Sequence, residues 1–137
     1  MQKFGIYLRS FAADNDKEKH RIEIELVKRF SSICRLFSIG NPHEVFNIKS
    51  STAIYATDEN WKHVIYEMAS KAYYIVLRVH KSEGTMWELE TCFKNGYENK
   101  TIFILDDEDG LKILNASLWE KYHVEINFPN ENECQTP

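Results

Sequence analysis

The sequence lacks the glycine-rich and serine-centred motifs of several large enzyme classes. Only five of its 137 residues are glycine, and they form none of the patterns G-x-G-x-x-G, G-x-x-x-x-G-K-[ST] and G-x-S-x-G. These patterns bring backbone N–H groups close to phosphates or expose a nucleophilic serine. The sequence therefore gives no support for a dinucleotide-binding dehydrogenase, a P-loop nucleotide triphosphatase or a serine hydrolase.

Cysteine and metal-binding patterns are equally scarce. The three cysteines form no C-x-x-C pair, and the five histidines show no H-E-x-x-H spacing. Zinc sites need such clustered ligands, and disulfide frameworks normally use an even number of cysteines. We therefore predict no metal, no bound cofactor and a reducing, cytoplasmic location. Cys34 and Cys92 are expected to be core residues because they lie in apolar patterns.

An excess of positive charge and long apolar runs are also absent. The chain has 17 Lys and Arg residues against 21 Asp and Glu residues, which gives a formal net charge of -4. Phosphate backbones and anionic membranes attract basic surfaces, so we predict no nucleic-acid partner. No stretch approaches the roughly 20 apolar residues that span a bilayer, and the amino terminus lacks the apolar run of a secretory signal. We therefore expect no membrane segment within this chain.

What the sequence does contain is an alternation of apolar runs and amphipathic patterns, which are typical of strands and helices respectively. The predicted strands are 4–8, 35–39, 73–79 and 101–105, with possible edge strands at 52–56 and 124–128. The predicted helices start near Asp16, start after Asp58, and cover 85–95 and 108–121. This order predicts one α/β domain over residues 1–128, with a three-layer, flavodoxin-like fold and a mainly parallel sheet of about five strands. A flexible tail is expected at 129–137.

Single residues refine this prediction. Residues 73–79 are an almost unbroken run of β-formers, which indicates the middle of the sheet. Asp58 is expected to cap the second helix, and Gly96 to end the third in the left-handed conformation. Trp61 fits the apolar spacing of the second helix and is interpreted as a core residue.

The predicted topology also places the candidate site. Ligands of open parallel sheets bind beyond the carboxyl ends of the strands, near the point where the strand order reverses. The loops at these ends start at Arg9, Gly40 and His80. The third loop leads into a helix start, where free N–H groups favour anionic groups.

Glu88 falls in the first turn of that helix and has two interpretations. As a carboxylate it could oppose the positive charge that develops on a ribose when a glycosidic bond breaks, or attack that carbon. Alternatively, Thr85-x-x-Glu88 is a capping box, in which the carboxylate only stabilises the helix start. Trp87 could form the wall of a pocket or stack on a base.

The residues after the first strand also have two interpretations. Arg9, Ser10 and Asp14 fit a solvated turn with a helix cap. They equally fit a site that binds phosphate or ribose hydroxyls.

Four motifs in order resemble a bacterial family related to Toll/interleukin-1 receptor (TIR) domains. They are Leu8-Arg9-Ser10-Phe11 with Asp14, Ser38-Ile39-Gly40-Asn41-Pro42, Asp58-x-x-Trp61 and Trp87-Glu88-Leu89. That family often carries L-R-S-F near its first strand, G-x-P after its second, and W-E-L at the start of the helix after its central strand. The resemblance covers residues 4–105.

A further similarity is to nucleoside deoxyribosyltransferases, which share a flavodoxin-like layout and resemble the run Glu83-Gly84-Thr85-x-x-Glu88-Leu89. In the enzymes of both groups, the glutamate matched by Glu88 acts at the sugar carbon. The acidic residues that deoxyribosyltransferases place before this glutamate are not plainly matched in the run 80–83, which reads HKSE. Other TIR-like domains cleave nothing and act by assembling with copies of themselves or with other TIR domains.

The resemblance implies an N-glycosidase that cleaves the nicotinamide–ribose bond of NAD or a related nucleotide, with the nucleotide as substrate and Glu88 as the catalytic residue. The predicted substrate-binding residues are Arg9, Ser10, Phe11, Asp14, Gly40, Ser82 and Trp87. The alternatives are a non-catalytic signalling or assembly module that self-associates through TIR-like surfaces, and a nucleotide sensor without turnover. An enzyme should hold Glu88 open to a concave pocket, whereas a module should turn this carboxylate back onto the backbone of Thr85.

Overall fold

The structure is a computed structural model, and parts of the chain are described by it. The described residues are 3–8, 17–40, 52–55, 57, 59–81, 83–105 and 107–127. Only the backbone is described for residues 17–20, 22–23, 39–40, 52–55 and 83.

Strands and helices alternate along the described chain. The strands are β1 (Phe4–Leu8), β2 (Arg35–Gly40), β3 (Thr52–Tyr55), β4 (Tyr74–Val79) and β5 (Thr101–Leu105). The helices are α1 (Lys17–Ser31), α2 (Trp61–Lys71), α3 (Glu83–Lys94) and α4 (Glu108–Tyr122), and a 3₁₀ helix covers Tyr97–Lys100. β-branched and aromatic residues, which fit a pleated buried surface, dominate the strands. The predicted strands and helices of these regions are confirmed, with small shifts at their ends.

The five strands form one parallel sheet in the order β3-β2-β1-β4-β5. The predicted α/β fold with a parallel sheet is thus confirmed, and the possible strand at 52–56 is the edge strand β3. If β3 is set aside, the order of the other four strands is the flavodoxin-like one, in which the chain starts inside the sheet and moves first to one side and then to the other. The reversal lies between β1 and β4.

Helices cover both faces of this sheet and complete the three predicted layers. On one face α1 packs through Val27 against Tyr7 of β1. On the other face α2, α3 and α4 contribute Ile65, Leu89 and Leu114 to a single buried cluster. Burial of each such side chain contributes about 1.5–3 kcal/mol. The two clusters hold the helix starts of α2 and α3 at the carboxyl edge of the sheet.

A close approach between β1 and β4 fixes the middle of the sheet. Gly5 pairs with Tyr74, and a Cβ atom at residue 5 would lie 2.6 Å from Cε1 and 2.7 Å from Cε2 of the Tyr74 ring. The Tyr74 hydroxyl donates a hydrogen bond of 2.8 Å to the carbonyl of Phe30, at the end of α1. The ring therefore has a fixed position, and residue 5 has room only for glycine.

The prediction that residues 73–79 form the middle strand of the sheet is wrong, because this segment contains β4, which lies next to the middle strand. β4 is buried along its whole length, as the run of β-formers indicated, but β1 is the middle strand. Any interior strand covered by helices on both faces shows the same continuous apolar pattern. The pattern therefore identifies an interior strand and not its position.

The predicted edge strand at 124–128 is wrong over 124–127, which are not part of the sheet. The physical reason is a local pairing. The Asn115 side chain of α4 donates to the carbonyl of Ile126 (2.8 Å) and accepts from the N–H of Ile126 (2.9 Å). One amide side chain thus satisfies backbone groups that a strand would have offered to a neighbouring strand.

The predicted cap of α2 also differs. The N-cap is Asn60, and Asp58 lies outside the described residues. Asn60 does not cap the helix with its side chain; its Oδ1 instead accepts from the N–H (2.8 Å) and the hydroxyl (2.9 Å) of Thr57. Asparagine favours such local turns over a helix interior. Gly96 has the predicted left-handed conformation, with φ of 75°.

All described strands and helices belong to or pack on this one sheet. Among the described residues, no helix has the length and apolarity that crossing a membrane requires. The predicted tail at 129–137 lies outside the described residues.

Candidate functional site

The candidate site is built at the carboxyl edge of the sheet, beside the reversal of strand order. β1 ends at Leu8 and β4 ends at Val79, and α3 starts at Glu83 directly after β4. Because all strands are parallel, the start of α2 lies at this same edge. This is the position at which open α/β sheets bind ligands.

Glu88 lies on the face of α3 that is turned toward the protein interior. Thr85, Leu89 and Cys92 share this face and are buried, at the three-four spacing that defines one side of a helix. Glu88 itself is only 3% exposed. A carboxyl group therefore occupies a position that an apolar side chain would normally fill.

One oxygen of the Glu88 carboxyl, Oε2, is buried without a hydrogen-bond partner among the described residues. Burial raises the pKa of Glu88 from its usual 4.5 to about 8, because the low-dielectric interior disfavours the charged form. Burial is also the main cause that raises the pKa of Cys92, one helical turn further on, to about 12. At neutral pH Glu88 is mostly a neutral acid.

The capping-box interpretation of Glu88 does not fit this arrangement. α3 starts at Glu83, so Thr85 is inside the helix and not at its N-cap position. The helix contains Glu88 in its second turn, with the side chain in the core. A role of Glu88 as the capping-box carboxylate at the start of α3 is thus excluded.

Neither arrangement expected of Glu88 is present. The side chain is not open to a concave pocket, since it is 3% exposed, and it does not serve the helix start. The structure shows a third arrangement, a buried carboxyl group whose Oε2 atom has no hydrogen-bond partner in the part of the chain that is described. Groups of this kind have strongly shifted pKa values, which are typical of functional sites.

Trp87, the second predicted site residue on α3, contacts Trp61 at the start of α2. Their ring centroids are 5.2 Å apart at an interplanar angle of 74°, an edge-to-face contact. Nζ of the exposed Lys62 lies 5.4 Å from the Trp87 centroid and 5.6 Å from the Trp61 centroid. Both tryptophans are partly buried and pack against the core.

Sequence reasoning missed the Trp61 contact and Lys62. The interpretation of Trp61 as a core residue is correct for part of its surface only, since its ring also forms the cluster with Trp87 and Lys62. A signal was available: both tryptophans stand near the starts of helices that follow parallel strands, and such starts meet at one edge.

The remaining predicted site residues fall mostly on undescribed parts of the chain. Gly40 ends β2 at the same carboxyl edge and is paired with Tyr55 of β3. The residues outside the described part are Arg9, Ser10, Phe11, Asp14 and Ser82. The structure therefore brings Glu88, Trp87 and the end of β2 to one edge.

A cavity of about 440 Å³ lies elsewhere, between α3 and α4. It is lined by Glu90, Phe93, Lys94, Ser117, Glu120 and Lys121. These residues belong to the later turns of both helices, which run back toward the amino edge of the sheet. This cavity is therefore not the predicted site, and Glu88 is not among its lining residues.

Within the described segments, no three His, Cys, Asp or Glu side chains are arranged to hold a metal ion. Comparison of the chain with family models, with curated proteins and with solved structures gave no match.

Proposed function

We propose that the protein is a TIR-like N-glycosidase that cleaves the nicotinamide–ribose bond of NAD or a related nucleotide. The observation that carries this proposal is the Glu88 carboxyl in the helix that follows β4, beside the reversal of strand order, because its Oε2 atom has no hydrogen-bond partner among the described residues. The side chain is only 3% exposed, so the proposal requires the segment around it to open when the substrate binds. A buried carboxyl oxygen without a partner costs stability, and a ligand at this edge of the sheet would supply the missing partner.

The reaction needs a negative charge close to the ribose. The bond between C1′ and the pyridinium nitrogen breaks, its electron pair goes to the nitrogen, and neutral nicotinamide leaves. Positive charge then develops on C1′ and the ring oxygen, where the Glu88 carboxylate stabilises it or bonds to C1′. Water supplies the new hydroxyl group and releases one proton. Charges about 4 Å apart attract by about 4 kcal/mol at an effective dielectric constant near 20, which corresponds to roughly 1000-fold in rate.

The protonated state of free Glu88 is consistent with this role, because the substrate is a cation. A positive charge nearby favours the carboxylate and lowers its pKa. Binding of the pyridinium nucleotide is therefore coupled to release of the Glu88 proton. The free protein keeps a neutral acid in its core, and the bound protein has the charged group that the reaction needs.

The other predicted residues complete the proposed site. In this proposal Arg9, Ser10 and Asp14 bind the ribose or the phosphates, and Phe11, Gly40 and Ser82 are the further predicted substrate-binding residues. Trp87 forms a wall beside the base. Mixed aromatic and polar linings of this kind are usual for cofactor-sized ligands.

The test is release of free base from NAD and from a panel of nucleosides and nucleotides, followed by chromatography at high protein concentration. The wild type should release nicotinamide, and Glu88→Gln should not. Glu90→Gln is the matched control, because Glu90 is exposed on the same helix and its change alters the charge equally. Equal release by wild type and Glu88→Gln would overturn the proposal.

A second candidate is a non-catalytic assembly module, and one surface favours it. Four large apolar side chains at and after the end of α4 are exposed: Trp119, Tyr122, Val124 and Ile126. These residues are close in sequence, and exposed apolar patches mark interaction sites in soluble proteins. Sedimentation of the wild type and Trp119→Ser should separate the candidates. The module is supported if the wild type self-associates, Trp119→Ser does not, and neither protein releases base.

A nucleotide sensor is the third outcome of these measurements. It binds a nucleotide, so the melting temperature rises with its concentration, but no base is released. In that case Glu88→Gln should reduce the shift in melting temperature.

A further inference from the structure

Trp61, Trp87 and Lys62 form a cluster in which two indole rings already hold a positive charge. Nζ of Lys62 lies 5.6 Å and 5.4 Å from the Trp61 and Trp87 ring centroids. Cations within about 6 Å of an indole centroid are attracted by the negative face of the ring. The cluster lies where α2 and α3 start, at the edge of the sheet that carries the candidate site.

The two rings and the lysine differ in how firmly they are held. Both tryptophans contact the buried core and each other, so their positions are fixed by packing. Gly84 leaves additional space beside Trp61: a Cβ atom at residue 84 would be 3.7 Å from Cη2 of that ring. Lys62 is exposed and flexible, and another rotamer removes its ammonium group from the rings. The lysine is therefore the replaceable member of the cluster.

The geometry points to a binding site for a planar organic cation on the Trp61–Trp87 pair, with Lys62 as an internal competitor that must withdraw when the ligand binds. Identification of this cation as the nicotinamide ring of NAD rests on the proposed function. A pyridinium ring combines a positive charge with a flat π surface, and both features suit an indole pair.

A second observation favours a cationic ligand at this edge. Glu88, the residue after Trp87, has a buried oxygen without a partner in the described part of the chain. The two features are adjacent in the chain, with Trp87 in contact with Trp61 and Glu88 turned into the core. The reduced dihydronicotinamide ring is neutral, so this site selects the oxidised nucleotide.

The experiment uses two small probes on the whole chain: the 1-methylnicotinamide cation and neutral nicotinamide. Binding is followed by NMR through the indole N–H signals, of which the sequence provides three. Trp61 and Trp87 should report binding of the cation, and Trp119, which is exposed on α4, is the internal reference. The wild type should bind the cation more tightly than neutral nicotinamide.

Variants at the exposed position 62 test the competition without risk to the core. Lys62→Gln should tighten binding of the cation about two- to fivefold, since a competing cation–π contact is removed, and should not tighten binding of neutral nicotinamide. Lys62→Arg keeps a competing cation and should not tighten binding. Lys71→Gln is the charge-matched control on the same helix, where Lys71 lies 3.8 Å from Glu67, and it should leave binding unchanged.

The outcomes separate this inference from the proposed function. Equal binding of both probes, or an unchanged cation affinity in Lys62→Gln, overturns the inference even if NAD is cleaved. The inference is supported if the preference for the cation increases in Lys62→Gln and is lost in Trp87→Leu. This holds even if no nucleotide is cleaved and the glycosidase proposal fails. If Trp87→Leu does not fold, the result with Lys62→Gln decides.

Discussion

The indole rings of Trp61 and Trp87 meet edge to face, with centroids 5.2 Å apart, and join the starts of α2 and α3. This contact places two aromatic side chains from separate helices at the carboxyl edge of the sheet. Directly after Trp87, the Glu88 side chain turns into the core. One short segment of α3 thus contributes an aromatic side chain to this edge and a buried acid whose Oε2 atom has no partner among the described residues.

Replacement of Glu88 by glutamine should remove a pH dependence of stability. Burial raises the pKa of Glu88 from 4.5 to about 8, so between these values the folded protein retains a proton that the unfolded chain has lost. The free energy of unfolding of the wild type should therefore fall as pH rises from 4.5 to 8. The free energy of unfolding of Glu88→Gln does not fall in this way, so the variant should be more stable than the wild type at pH 8, by on the order of 4 kcal/mol.

Urea unfolding between pH 4.5 and 9 measures this difference. Glu90→Gln should keep the wild-type slope because Glu90 is exposed. If the free energy of unfolding changes with pH in the same way for the wild type and Glu88→Gln, Glu88 is not a buried acid with a raised pKa.

Replacement of Gly5 by alanine should destabilise the sheet by about 1–3 kcal/mol, the usual cost of overpacking a core. The new Cβ atom would lie 2.6 Å from Cε1 of Tyr74, whose hydroxyl group is tied to Phe30. Gly84→Ala is the matched control: its Cβ atom has an ordinary 3.7 Å contact, and alanine favours the helix. Chemical denaturation should show Gly5→Ala less stable, and Gly84→Ala equal to or more stable than the wild type.

Replacement of Glu98 by glutamine should loosen the end of α4. Oε1 of Glu98 accepts hydrogen bonds from Nζ of Lys121 and from the Tyr122 hydroxyl. Burial acts to raise the pKa of Glu98, but these hydrogen bonds outweigh it and lower the pKa. Their contribution is present above the usual pKa of a glutamate and is lost as pH falls below it.

Glu98→Gln should therefore be less stable than the wild type at pH 7, by about 1–3 kcal/mol, and should approach it under acidic conditions. Thermal unfolding at pH 7 and under acidic conditions tests this expectation. Glu120→Gln, a change at an exposed position of α4, should have little effect. A stability difference that does not depend on pH would contradict an ionic role of Glu98.

The sequence predicted most of the fold because the relevant patterns are local. The run 101–105 contains only β-formers, and the apolar spacing from Trp61 to Met68 marks one face of α2. The segment 124–127 alternates apolar and polar residues like a strand, yet the Asn115 side chain takes both backbone groups of Ile126. That contact spans eleven residues and has no local signature.

The candidate site was only partly predictable for a similar reason. Position 88 was identified from its place after an interior strand, and the resemblance to TIR-like enzymes implied its role. Its burial could have been inferred, since Thr85 and Cys92 define the same helix face. The placement of Trp61 and Trp87 at one edge could also have been inferred, because both stand near starts of helices that follow parallel strands. The contact of their rings could not, because the distance between two helix starts depends on how α2 and α3 pack on the sheet.

The most direct test of the central claim is the pH profile of nicotinamide release from NAD, measured as kcat/KM for the wild type and Glu88→Gln. This quantity reports the ionisation of the free protein, and the proposed reaction needs the carboxylate. With the pKa of Glu88 raised to about 8, kcat/KM should rise with pH and level off above pH 8, and Glu88→Gln should be inactive throughout. A rate independent of pH from 6 to 9, or activity retained in Glu88→Gln, would contradict the assignment of Glu88 as the catalytic residue.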